Sequence, residues 1–204
     1  MKRTYAALVW AAVLAVGLAA VVAAAMSPLL AWRNPVYIVA GFAGVIAMAL
    51  LLVQPVLATH RPPGLPQGRA RKVHRAVGLA VVVAVIVHVG GLWVTSPPDV
   101  VDALMLRSPT PFSVWGVAAM WAVFATAALA LMRRRLRLRP VVWRLCHTSL
   151  AATVAVGTVI HAMRIEGTMG PVTKIVLAAA VIAVTGGVLI QLRVWATGRR
   201  RIQR

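Results

Sequence analysis

Residues 74–93 read HRAVGLAVVVAVIVHVGGLW, and residues 147–165 read HTSLAATVAVGTVIHAMRI. Each stretch opens on a histidine, runs through small and branched apolar residues, and reaches a second histidine fourteen positions later. A helix covers fourteen residues in about 3.9 turns and rises about 21 Å over them. His74 and His88 therefore lie on nearly one helix face, at opposite ends, and His147 and His161 do the same on theirs.

The surrounding sequence sets both stretches in a membrane. Of 204 residues, 61% are hydrophobic, and the mean hydropathy of +0.88 is too high for a soluble domain. A bilayer of about 30 Å hydrocarbon needs about 20 apolar residues per crossing. Six stretches meet that length, near 5–26, 36–58, 75–95, 112–132, 146–164 and 172–194. The expected fold is an all-α membrane protein, a six-transmembrane-helix bundle forming one domain over residues 1–204. Residues 1–26 resemble a signal peptide, but the apolar run exceeds the usual length of about 7–15 residues, so a retained helix is expected.

The net charge of +19 is a topology signal rather than a nucleic-acid footprint. Lys2 and Arg3 precede the first span. Arg61, Arg69, Arg71, Lys72 and Arg75 lie between the second and third. Arg133, Arg134, Arg135, Arg137, Arg139 and Arg144 lie between the fourth and fifth, and Arg193, Arg199, Arg200, Arg201 and Arg204 follow the sixth. These are 18 of the 22 basic residues, all on one side; the acids Asp99, Asp102 and Glu166 are all on the other. Cytoplasmic segments carry the excess of Lys and Arg, so both termini are expected in the cytoplasm.

Gly41 and Gly44 in the second span read as close-packing positions, and Gln54-Pro55 as a kink near its end. THRPPGLPQGRARK reads as a loop, with His60 a solvated histidine in it. Gly78, Gly90 and Gly91 are read either as close packing or as room for a flat group beside a histidine. Val100 to Leu106 is expected to form a short interfacial helix, and Trp115 and Trp121 to serve packing in the fourth span. Cys146 excludes an intrachain disulfide and reads as a small buried hydrophobe.

The four span histidines carry the functional reading. Both stretches lie on odd-numbered spans and so run in the same direction. His74 and His147 share the basic end, and His88 and His161 the other. Side by side, the two helices offer two bis-imidazole sites, the donor set of two b-type haems. No C-x-x-C-H run exists, so attachment is by axial ligands and packing. Arg75 and Arg144 are placed for the propionates of an inner haem, and Arg164 for those of an outer one. Ionisable groups within a bilayer are costly and mark function. The competing readings are a transporter whose histidines relay protons or bind a metal, and a haem-based sensor.

On these two histidine pairs the chain resembles the ferric reductase-like transmembrane domain family. That family includes the membrane cores of ferric reductases and NADPH oxidases, and the haem-binding membrane subunit of a bacterial methionine sulfoxide reductase system. The resemblance implies two b-type haems, inner on His74 and His147 and outer on His88 and His161. It implies an electron-transfer role in an oxidoreductase of a bacterial cell membrane. No Gly-rich nucleotide fingerprint is present. Electrons are then expected from a separate reductase, a bound flavin or quinol, and are expected to pass to ferric iron, oxygen or a periplasmic redox enzyme. The basic run Arg133 to Arg139 is a candidate docking surface for that donor.

The charge asymmetry makes one direct prediction. Reporters fused after residue 204 and in the Pro97–Pro111 linker should be active on opposite sides, the first in the cytoplasm and the second outside. A C-terminal reporter active only outside contradicts the orientation.

Overall fold

The computed structural model describes residues 2–59, 62–133 and 135–192. They form α1 (Lys2–Ala25), a 3-10 turn (Pro28–Leu30), α2 (Pro35–Ala58), α3 (Gln67–Thr95), α4 (Pro97–Leu104), α5 (Ser113–Met132), α6 (Pro140–Arg164) and α7 (Pro171–Gln191). Six of the seven α-helices, all except α4, are long and apolar enough to cross a membrane. Among the described residues there is no strand. That suits a bilayer, where a lone chain segment can satisfy its backbone groups only as a helix.

The helix starts follow local chemistry. Asn34 caps α2 through its side-chain oxygen, which accepts from the Val36 N–H at 2.8 Å. Pro35, Pro97, Pro140 and Pro171 occupy first-turn positions, where a missing N–H costs nothing. Two helices begin earlier than the apolar runs. α3 starts at Gln67 and not near 75, and α6 starts at Pro140 and not near 146. The start of α3, QGRARK, is polar and basic, and α6 opens on Pro140-Val141-Val142-Trp143 ahead of Arg144, so both helices extend beyond the uninterrupted apolar runs. The second half of the expected loop is thus the start of α3. The short helix expected at 100–106 runs Pro97–Leu104, a few residues earlier, because its tandem prolines preset the first turn. His60 lies outside the described residues, as do Arg61, Arg134 and the basic residues from Arg193 onward.

Two helical hairpins make the frame. α2 packs along α3, and α5 along α6; α1 and α7 close against α2 and α6. Close approach uses small residues, as membrane helices require without a hydrophobic drive between them. A Cβ on Gly91 would stand 2.8 Å from the Ala40 Cβ, and one on Gly157 would stand 3.0 Å from the Trp115 carbonyl oxygen. Gly91 is therefore a packing residue between α3 and α2. Gly90 faces open space. One apolar core joins Ala20, Ala24, Met48, Leu52, Ala155, Leu177 and Val181 from α1, α2, α6 and α7. A second joins Val81 of α3, Ala122 and Val123 of α5, and Val154 of α6. Many large apolar side chains, such as Leu79, Val83 and Ile86 on α3, point outward. On a bilayer-facing surface lipid covers them. On the basic side, the Trp10 indole N–H donates to the Pro63 carbonyl at 2.9 Å, tying α1 to the α2–α3 loop.

Leu177 is fully enclosed in the first core. Leu177→Ala should destabilise the bundle by about 2 kcal/mol, the low end of the soluble range. In lipid the cavity is lost contact, while the transfer from water largely drops out. Thermal unfolding in detergent measures it. A Tm equal to that of the parent would mean this core is not closed as described.

Candidate functional site: two facing histidine pairs

The hairpins bring α3 and α6 face to face through their histidines. His74 and His147 have ring centroids 6.2 Å apart with planes at 62°. His88 and His161 stand 6.4 Å apart at 81°. Both pairs form as the spacing implied, the first at the basic end of the bundle and the second at the other. Val81 and Val154 each lie midway between the histidines of their own helix, so the second apolar core separates the two sites.

Three of the four rings are oriented by one device. His88 Nδ1 lies 2.7 Å from the Ala40 carbonyl of α2, and His161 Nδ1 lies 3.0 Å from the Phe112 carbonyl at the start of α5. His74 Nδ1 lies 3.2 Å from the Gln54 carbonyl. A carbonyl only accepts, so each Nδ1 carries the proton and each Nε2 keeps its lone pair. No hydrogen bond occupies Nε2 in any of the four among the described residues. The acceptor carbonyls already serve the helix ladder, as in the Gly116 N–H to Phe112 bond at 3.2 Å. Their second lone pair serves the histidine.

Glycines four residues on from these carbonyls make the approach possible. A Cβ on Gly44, four after Ala40, would stand 3.0 Å from His88 Nδ1. One on Gly116, four after Phe112, would stand 2.7 Å from His161 Nδ1. The pattern recurs in reverse at the basic end. The Gln54 Nε2 donates to the His74 carbonyl at 3.2 Å, and a Cβ on Gly78, four after His74, would meet that Nε2 at 3.2 Å. Sequence reading took Gly44 for helix packing and Gln54 for part of a kink, and passed over Gly116. The shared feature, a glycine four positions after a carbonyl that accepts twice, shows only once the neighbouring helix and its register are known.

His147 is the exception. Its Nδ1 is buried and has no hydrogen-bond partner. Instead the Trp143 indole, one turn earlier on α6, stacks on its ring at 5.2 Å and 16°. The Arg133 guanidinium lies 4.7 Å over the other ring of the stack, that of Trp143. At the far end, Phe112 meets the His161 ring edge-on at 5.6 Å.

Two trans imidazoles on one metal ion would have centroids about 6.2 Å apart, given a metal–nitrogen bond of about 2.0 Å and a ring half-width of about 1.1 Å. Both observed separations fit. Each pair offers two donors, and no group of three or more His, Cys, Asp or Glu side chains converges among the described residues. Such a donor set suits a group that brings its own equatorial ligands, and falls short of a tetrahedral protein site. The arginines are placed unevenly. Arg144 is half-buried with its Nε enclosed and unpartnered, an opening for an anionic group beside the basic-end pair. Arg75 and Arg164 are exposed, each near one of the pairs in sequence. Cys146, expected to be buried, is exposed. It immediately precedes His147, and about 100° of helical rotation carries it off the face turned to α3.

A six-helix membrane protein with stacked histidine pairs between two parallel helices is the class that this fold and site define. The chain matches the family model described as "Ferric reductase like transmembrane component" over residues 40–158, and it belongs to that family. Its membership makes it a membrane protein of an electron-transfer family. The matched segment runs from Ala40, the acceptor for His88, through His147, and ends just before His161. No curated protein and no solved structure matches the chain.

The glycine geometry predicts a graded effect. Gly116→Ala should displace the His161 ring and remove the spectral component that His161→Ala also removes. Gly44→Ala, with more room, should perturb the same component less, and neither should alter the component lost in His74→Ala. Wild-type spectra in Gly116→Ala would contradict the packing described.

Proposed function

We propose that this chain is a dihaem membrane electron-transfer protein working as the membrane subunit of an oxidoreductase. His74 and His147 would hold the iron of an inner b-type haem, and His88 and His161 that of an outer one. The observation that carries this reading is the pair of imidazole separations, 6.2 and 6.4 Å, each with Nε2 left free. Haem supplies one-electron chemistry when bound; the protein supplies ligation, orientation and the surrounding dielectric.

The remaining roles follow from placement. Nδ1–H bonds to Ala40, Phe112 and Gln54 fix the tautomer that presents Nε2 and raise its basicity. Val81, Val154, Ala122 and Val123 keep water from the space between the two levels. Arg144 and Arg75, each near the basic-end pair in sequence, would pair propionates of the inner haem, and Arg164 those of the outer one. With both termini in the cytoplasm of a bacterial cell, the inner pair faces a cytoplasmic donor. That donor is a separate reductase, a flavin or quinol, with Arg133 to Arg139 as its docking surface. The acceptor is on the outer side: ferric iron, oxygen or a periplasmic redox enzyme. The whole chain acts as one domain.

The test is a redox titration of single variants at matched expression. His88→Ala and His161→Ala should remove one and the same component, with the double variant little worse than either. His74→Ala and His147→Ala should remove the other, and His60→Ala neither. Two unaltered low-spin centres in His88→Ala would end this reading.

A further inference from the structure

The two sites are built alike except at one ring, and that exception has its own device. Ala40 and Gly44 on α2 correspond to Phe112 and Gly116 on α5, so Gln54 corresponds to Thr126. Thr126 does not repeat the role of Gln54: its hydroxyl donates back to the Ala122 carbonyl at 2.7 Å. His147 is therefore left with an enclosed, partnerless Nδ1. A buried polar atom of this kind is costly, and a ring without that bond is free to turn about its side-chain torsion. Trp143 supplies the missing restraint, stacked at 5.2 Å and 16°. Arg133, at the end of α5, holds the indole from the loop side at 4.7 Å.

We propose that the Arg133–Trp143 stack is the positioning and tuning device of the inner centre, setting the plane of the His147 imidazole in place of a hydrogen bond. This rests on the haem reading above. It makes the centres electronically unequal. The outer centre has two imidazoles whose Nδ1–H groups donate to carbonyls; the inner has one such ring and one that donates to nothing. Donation from Nδ1 makes the ring a stronger base and favours the oxidised metal. The inner centre is therefore the more easily reduced of the two by this lever, and the Arg133 charge acts in the same direction.

The experiment uses the full-length haem-loaded protein in detergent, reading the midpoint potential and low-spin resonance spectrum of each centre separately. Trp143→Leu removes the flat stack and opens Nδ1 to water. The inner midpoint should move negative and its resonance broaden or shift, while the outer centre keeps both values. Trp143→Phe preserves a stacking face and should restore the inner spectrum. Arg133→Gln, at an exposed position, should move the inner midpoint negative by less, and it carries the test if the Leu variant does not accumulate. An inner centre unchanged in both Trp143→Leu and Arg133→Gln overturns the proposal and leaves the haem reading standing. So does an equal shift of both centres. A parent protein without haem at His74 and His147 overturns both.

Discussion

The structure depends on how an imidazole is held in a place without water. Inside a bilayer the only plentiful acceptors are helix carbonyls, and those are already engaged by the ladder four residues on. A carbonyl has a second lone pair, but the side chain at that fourth position stands in the way. Glycine at Gly44 and Gly116 clears it, and the imidazoles of His88 and His161 reach Ala40 and Phe112. At the His88 and His161 level the rest of the site follows from that contact. It orients the ring, selects the tautomer that leaves the Nε2 lone pair free, and ties each histidine-bearing helix to its hairpin partner.

The hairpins therefore act as paired jaws. α2 positions the rings of α3, and the start of α5 positions the far ring of α6. Between them, Val81 and Val154 keep the two levels apart with apolar contacts. The basic end departs from this symmetry. There, Gln54 and His74 exchange side-chain and backbone bonds across α2 and α3, while His147 leans on Trp143. A duplicated plan thus holds three imidazoles against a carbonyl and the fourth against a stacked indole.

Much of this was legible in the chain. Apolar length set the six helices, and the equal fourteen-residue spacings on helices of like direction set the two levels of histidine pairing. Helix starts were less legible, because basic residues interrupt the apolar runs, in QGRARK at the start of α3 and at Arg144 one turn into α6, and hydropathy sees only the apolar part. Gly116 and Gln54 were illegible for a different reason. Their roles depend on which helix lies beside which and in what register, and a single sequence does not state that. Gly90 and Gly91 show the converse. They follow His88 directly, yet Gly91 serves the contact with Ala40 and Gly90 faces open space. Nearness in sequence to a functional residue does not place a side chain in its site when the helix rotates about 100° per residue.

Membership of the ferric reductase-like family and the paired imidazoles converge on membrane electron transfer. The central claim is that both histidine pairs hold haem. The most direct measurement is a pyridine haemochrome assay on purified protein with independent protein quantitation. Two b-type haems per chain, one for each pair of facing histidines, is the result predicted here. A preparation reconstituted with excess haem that saturates at one per chain, or binds none, would contradict it.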